Sequence, residues 1–582
     1  MTDQQIKDRI DAMSVEQKVG QLLVLDFTGY TVTPFLKKVI RDYNCAGLRV
    51  QSEVRVKEVY HSGALSDDFI KERSFREPTA GFKDLSFIEP APRASAGEYA
   101  NLLNEVKQLR LDQPDAIPLH IVLDQEGSGY ENFICGSPFL FPNQMGMAAT
   151  NDPELVYEAY RIFARQLVLT GYHWIHSPVL DVNTDPKNPE IGIRSFSDDP
   201  EKVITFGKAM LRAFREEGLI TTGKHFPGRG ESSIDAHIDL PVIEADENRM
   251  RDVHIRPFAE LINAGLPSIM TAHTIYPSLD KERAPGTVSK NILTRILREE
   301  LGFAGAITSD NMLMSGMIKN YEILEACIQS INAGATLLLP RAESPLIDEL
   351  YAGLIDAVEK ERISIETIDQ ALYYNLRVKD EYGLFKTGGH GKPEEADVIQ
   401  RDADARAVEL RCGREAIVLM RDNANILPLV SDARVLLVDQ TGPTQLNVNN
   451  FYCHPGTLWE KMLAVNEGVS CVEIDGEATP DEQTIARVMR RVPEADVIVA
   501  TNYEVHRGAK LNTELVKELA RVGKPLIVIT NSPFNVADEF ETVLVTFADT
   551  HAACEGLAEI VFGRREATGV MPIAVSSSSH SS

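Results

Sequence analysis

Between residues 19 and 340 the chain repeats one pattern. A short, nearly unbroken apolar run gives way to a longer stretch whose apolar positions recur every three or four residues. The runs lie at 19–27 (VGQLLVLDF), 46–51, 119–127, 172–182, 219–226, 267–277, 304–312 and 335–340. Segments such as 95–109, 152–171, 199–218 and 289–302 carry the helical spacing between them. Continuous apolar runs suit strands buried on both faces, as in parallel sheets. Eight such strands with intervening helices predict a (β/α)8 barrel. An open doubly wound sheet is the competing arrangement, but no GxGxxG turn follows an early strand.

The punctuation of the runs carries the chemistry. Several end in polar or charged groups: DQEG, DVN, KHFPG, TAH and SDN. In a barrel these ends gather on one face, where active sites are built. The densest stretch is 219–241, LITTGKHFPGRGESSIDAHIDLP. Its strand ends in Lys224 and His225, Pro and Gly then turn the backbone, and the following loop carries Asp235 and His237. Asp310 ends the seventh run, where an ionised carboxylate can attack an electrophilic carbon or simply cap the next helix. Residues 60–96 form a polar insertion after the second strand, either a cleft wall or a surface excursion.

After helices near 344–382, residues 386–404 read as a linker. A second alternating region then predicts a smaller, parallel α/β layer structure, with strands in ARVLLVDQ, VSCVEID, ADVIVATNY, KPLIVITNS and ETVLVTFAD. The expected fold class is therefore α/β. It comprises an N-terminal (β/α)8 TIM-type barrel over 1–385, the linker, and an α/β sandwich domain over 405–582 ending in a disordered SSSSHSS tail.

Composition narrows the function classes. A net charge of −27 leaves no basic face for nucleic acid. No apolar run approaches the ~18 residues a membrane span requires. The seven cysteines are dispersed, with no CxxC pair, which fits reduced thiols rather than disulfides or a zinc site. With no apolar leader at the N-terminus, a cytoplasmic protein is expected. No metal or organic cofactor is expected, and the oligomeric state is not specified.

Five ordered motifs, DQEG (124–127), NPEIGIRSFSDDP (188–200), KHFPG (224–228), IDAHIDLP (234–241) and SDNMLM (309–314), resemble glycoside hydrolase family 3, especially its NagZ-like β-N-acetylglucosaminidases. REAIVLMRDNANILPL (414–429) and GVMPIAV (569–575) resemble that family's second domain. The resemblance implies a retaining exo-β-N-acetylhexosaminidase acting on a small carbohydrate, from muropeptide or chitooligosaccharide fragments. Asp310 matches the nucleophile, and His237 with Asp235 matches an acid/base dyad. An imidazole titrates near neutrality, so it can serve where a second carboxyl is usual. The resemblance also sets Asp124, Arg194, Lys224 and His225 around the terminal sugar.

Two departures bear on specificity. Where the family reads GHGD after KHFP, this chain has GRGE, and Arg229 at a cleft edge would favour an anionic aglycone. Where it reads DQEGGRV, this chain has DQEGSGYENF, with Tyr130, Glu131 and Asn132 near a missing arginine. His176 and His273 are read as packing or supporting groups. Alternatives are a β-glucosidase-type enzyme using Glu504 as acid/base, a phosphorylase, a metal-dependent barrel hydrolase and a non-catalytic sugar-binding relative.

Overall fold

The computed structural model describes residues 1–27, 32–50, 94–127, 136, 138–236, 238–340, 345–441, 456–476, 478–504 and 510–574. Most of the 60–96 insertion, residues 130–132, His237 and the serine-rich tail lie outside them.

Eight parallel strands form the first sheet in sequence order: β1 (Val24–Phe27), β2 (Gly47–Val50), β3 (His120–Leu123), β4 (Trp174–Ile175), β5 (Ile220–Phe226), β6 (Ser268–Thr271), β7 (Ala306–Asn311) and β8 (Leu337–Leu339). A parallel bridge between Leu23 and Leu338, with Leu338 N donating to Leu22 O at 2.7 Å, joins the last strand to the first. The barrel interior is filled, with Val24, Val122, Trp174, Ile220, Met270, Ala306 and Leu337 packing in one cluster. Their neighbours on the opposite strand face, including Leu25, Leu48, Ile121, Ile175, Ile269 and Ile307, pack into the larger core beneath the helices. Both strand faces are thus buried, which is why the runs read as continuous rather than alternating.

Helix starts follow local chemistry. Ser95 forms a capping box with Glu98 at the head of Ala96–Leu111. Asp152 and Asp199 cap helices whose first residue is proline, at Pro153–Thr170 and Pro200–Glu216. The expected first strand begins too early, because Val19 and Gly20 close the helix Val15–Gly20. The fourth is only two residues long, and the rest of 172–182 runs on as irregular backbone.

The stretch 386–404, expected as a linker, is packed structure. Its helix Pro393–Ile399 lies against Ala96–Leu111, and Asp397 accepts from Gly97 N at 2.7 Å and Ser95 Oγ at 3.2 Å. Gly and Pro mark the turns here, while Ala396 and Ile399 are buried.

The second sheet has six strands: β9 (Val418–Asp422), β10 (Val435–Gln440), β11 (Val469–Ile474), β12 (Val497–Thr501), β13 (Leu526–Thr530) and β14 (Thr542–Val545), ordered β11-β10-β12-β13-β14-β9. Five run parallel. β9 adds antiparallel to β14, so the sheet is mixed rather than all-parallel. One face of this sheet packs against the barrel: Met145, Ala149 and Ile193 share a core with Val418, Phe534, Val543 and Phe547.

Candidate active site

The polar groups at the C-terminal ends of the barrel strands converge on one mouth. Asp124 follows β3. Its Oδ2 accepts from Arg49 Nε of β2 at 2.7 Å, and its Oδ1 accepts from Lys224 Nζ of β5 at 3.0 Å. Arg49 Nη2 also reaches Oδ2. His176 Nδ1 stands 3.5 Å from Oδ1. Burial opposes the charge on Asp124, yet Arg49 and Lys224 hold its carboxyl well below the ordinary carboxylate range.

Two residues on, Glu126 is buried. Arg194 grips it from two nitrogens, at 2.6 and 2.9 Å, and Lys224 Nζ lies 2.5 Å from Oε1. Burial again works against the charge, but Arg194 and Lys224 bring the carboxyl down to about 2. Arg194 comes from the 3-10 turn Gly192–Arg194, and Lys224 bridges both acids. The result is a socket of fixed donors and acceptors that presents Asp124, its side chain 16% exposed, to the mouth. Such a socket suits paired hydroxyl groups, which both donate and accept.

Next to it, His225 Nδ1 lies 2.7 Å from Asp181 Oδ2, and Arg229 N donates to Asp181 Oδ1 at 2.7 Å. Burial drives the His225 imidazole well below its ordinary range and raises Asp181 to about 6. Arg229 then turns inward. Its Nη2 lies 2.7 Å from Glu190 Oε1 and 3.5 Å from Asp310 Oδ2. Asp310 sits at the end of β7 with its side chain 15% exposed, and Asn311 N donates to its Oδ1 at 2.7 Å. The loop with Asp235 packs alongside. Ala236 N donates to Glu190 Oε2 at 3.3 Å, and Gly316 N donates to Ala236 O at 3.1 Å.

Residues 93–378 match the glycosyl hydrolase family 3 N-terminal domain. A β-hexosaminidase of Thiobacillus denitrificans is 33% identical over 262 residues, covering 44% of this chain and 71% of that protein. The chain belongs to glycosyl hydrolase family 3. It is 28% identical over 366 residues to β-hexosaminidase A of Pseudoalteromonas piscicida, spanning 61% of that protein's length and 58% of its own. A solved family 3 β-N-acetylglucosaminidase from Paenibacillus sp. str. FPU-7 superposes with a TM-score of 0.82 at 25% identity, covering 97% of this chain and 99% of that one. A second model, the MJ0874 family, matches residues 461–549.

In this family 3 chain, Asp124, Lys224 and Arg194 meet one another through shared partners, and Asp310 and Asp235 come to the same mouth by way of Arg229 and Glu190. His237 follows Asp235 by two positions and lies outside the described residues. Arg229 corrects an expectation. It is not a cleft-edge group open to an anionic aglycone but a buried cation, 1% exposed, committed to two carboxylates. Glu231, the other departure in GRGE, points away to Arg249 at 2.6 Å and His254 at 3.2 Å. His176 stands beside Asp124, and His273 Nε2 is 3.0 Å from Asn311 O, next to Asp310.

Sequence reasoning missed four members: Arg49, Glu126, Asp181 and Glu190. Each left a trace. Arg49 is the lone charge in the apolar run AGLRVQ, and a lone charge inside a buried strand demands a partner. Glu126 and Asp181 lie in the strand endings DQEG and DVN, and Glu190 precedes Arg194 by four positions in the same motif.

Proposed function

We propose that this family 3 enzyme is a retaining, exo-acting β-N-acetylhexosaminidase that releases terminal β-linked N-acetylglucosamine from muropeptide or chitooligosaccharide fragments. The observation that carries the reading is the convergence at one mouth of Asp310, the Asp235 loop and the Asp124–Lys224–Glu126–Arg194 socket. The names of the β-hexosaminidase relatives and of the Paenibacillus β-N-acetylglucosaminidase support the same substrate class.

In the first step an Asp310 oxygen bonds to the anomeric carbon while the glycosidic C–O bond breaks. The leaving oxygen keeps that electron pair and takes a proton from His237, which Asp235 orients. In the second step water attacks the anomeric carbon and gives its proton to His237, and the bond to Asp310 breaks to restore the carboxylate. Asp124, Lys224, Arg194 and His225 would hold the sugar hydroxyls, with Arg49 and Glu126 fixing their positions.

Hydrolysis of 4-nitrophenyl glycosides of N-acetylglucosamine, glucose, N-acetylgalactosamine and xylose tests the reading. The N-acetylglucosaminide should be preferred, and Asp310→Ala should abolish its turnover. His237→Ala should cost far more on substrates with a poor leaving group than on activated ones, whereas Glu504→Ala should show no such dependence. The opposite result would assign the acid/base role to Glu504, which is held on the second domain by Asn531, whose Oδ1 accepts from Glu504 N at 2.7 Å.

A further inference from the structure

Arg229 stands where the family pattern this chain resembles carries a histidine. Its backbone is anchored on both sides: its N–H is bound by Asp181, and its carbonyl accepts from Asn188 Nδ2 at 2.9 Å and Ser232 N at 3.1 Å. The side chain therefore has a fixed origin, and its Nη2 reaches Glu190 and Asp310 together. The remaining nitrogens, Nε and Nη1, are buried without a hydrogen-bond partner among the described residues. The two carboxylates, not a saturated hydrogen-bond shell, hold this guanidinium in place.

Among the described residues, further charged and titratable groups stand around Asp310 and Arg229 on neighbouring elements. Arg49 of β2 attracts its charge through space but is bonded directly to Asp124. His273, after β6, is buried, and burial disfavours its cationic form. Glu190, from the segment after β4, shares Arg229 with Asp310 and also stands 4.0 Å from Arg194. Among the described residues, Arg229 is the cation in ion-pair contact with Asp310.

We propose that Arg229 is a positioning residue that keeps the Asp310 carboxylate ionised and in one orientation, and that through Glu190 it ties this carboxylate to the loop bearing Asp235. The inference rests on Asp310 as the nucleophile. An arginine stays charged at every working pH, whereas a histidine at this position would lose its charge near neutrality. The chain thus keeps an attacking carboxylate at lower pH than a neutral residue at 229 would allow.

The test is the pH dependence of kcat/KM for 4-nitrophenyl N-acetyl-β-glucosaminide in wild type, R229K, R229Q and R229M, because its acidic limb reports the free enzyme's essential base. The neutral variants should move that limb upward by about one unit or more, and R229K should leave it near the wild-type position. Neutral variants that lose activity while keeping the wild-type limb would overturn the proposal. Should neither neutral variant fold, R229K decides alone: a displaced limb in this charge-retaining variant overturns it. The Asp310→Ala variant separates the two levels. Full activity there removes the nucleophile and this inference with it. If Asp310→Ala is inactive but rescued by azide, and the limb does not move in R229Q, only the role of Arg229 is removed.

Discussion

Arg194 meets Glu126 through two contacts, Nε to Oε2 at 2.6 Å and Nη2 to Oε1 at 2.9 Å, with both side chains buried. A lysine cannot reproduce the planar two-point grip. R194K should therefore raise KM far more than it lowers kcat, while R194A, which leaves a buried carboxylate short of its partner, should cost about 3–5 kcal/mol of stability. Steady-state kinetics and denaturant melts check both halves. An unchanged KM in a folded R194K would disconnect this pair from substrate binding.

The same carboxylate gives a pH prediction. Glu126 has a folded pKa of about 2 against an ordinary 4.5. A depressed acid contributes stability above its unfolded pKa and loses it as pH falls through the folded one, here between 4.5 and about 2. The contribution is on the order of 3 kcal/mol. The stability gap between wild type and E126Q, measured by urea unfolding, should shrink steadily as pH drops through this window. A gap independent of pH would show that Glu126 is not held ionised in the fold.

The second domain should matter to the site, because it packs against the turn that carries Arg194. Ile193, directly before Arg194, shares a core with Phe534, Phe547, Met145 and Ala149. Asn143 Nδ2 donates to Phe547 O at 2.9 Å, and Ala574 N donates to Asp198 Oδ2 at 2.8 Å. Phe534→Ala should lower stability by about 3 kcal/mol or more through the cavity it leaves. It should also raise KM, because the turn carrying Arg194 loses its anchor. Lower stability with unchanged KM would confine the contact to packing.

Gly316 offers a steric test of the Asp235 loop. A Cβ there would stand 2.9 Å from Ala236 O and 3.1 Å from Asp239 O. Gly316→Ala must shift this loop from its place beside the site, so kcat should fall roughly tenfold or more, with little change in thermal stability. Wild-type turnover in this variant would mean that the loop adjusts without consequence for the chemistry.

The barrel was legible because its strands are buried on both faces and several of them end in polar groups, so the run lengths and their punctuation carry the topology. The stretch 386–404 misled because Gly and Pro mark a turn without revealing that the next helix docks through Ala396 and Ile399. The strand β9 was hidden for a related reason. Its burial is partial, with Leu419 41% exposed, and its short apolar run follows directly on the helix Ala403–Glu415, so the run does not stand apart as a strand of its own.

By itself the sequence determined the order of elements, the clustering of titratable groups at strand ends and Lys224, Asp235 and Asp310 as candidates, because these depend on local composition and period, while Asp124 entered through the family resemblance. Tertiary structure alone decided the pairings. It joined Arg49 to Asp124 across 75 positions and Arg194 to Glu126 across 68, and it turned Arg229 from a presumed rim group into a buried cation between Glu190 and Asp310. The physical reason is that a charge's role follows from which opposite charge burial forces beside it. That partner lies close in space and far along the chain.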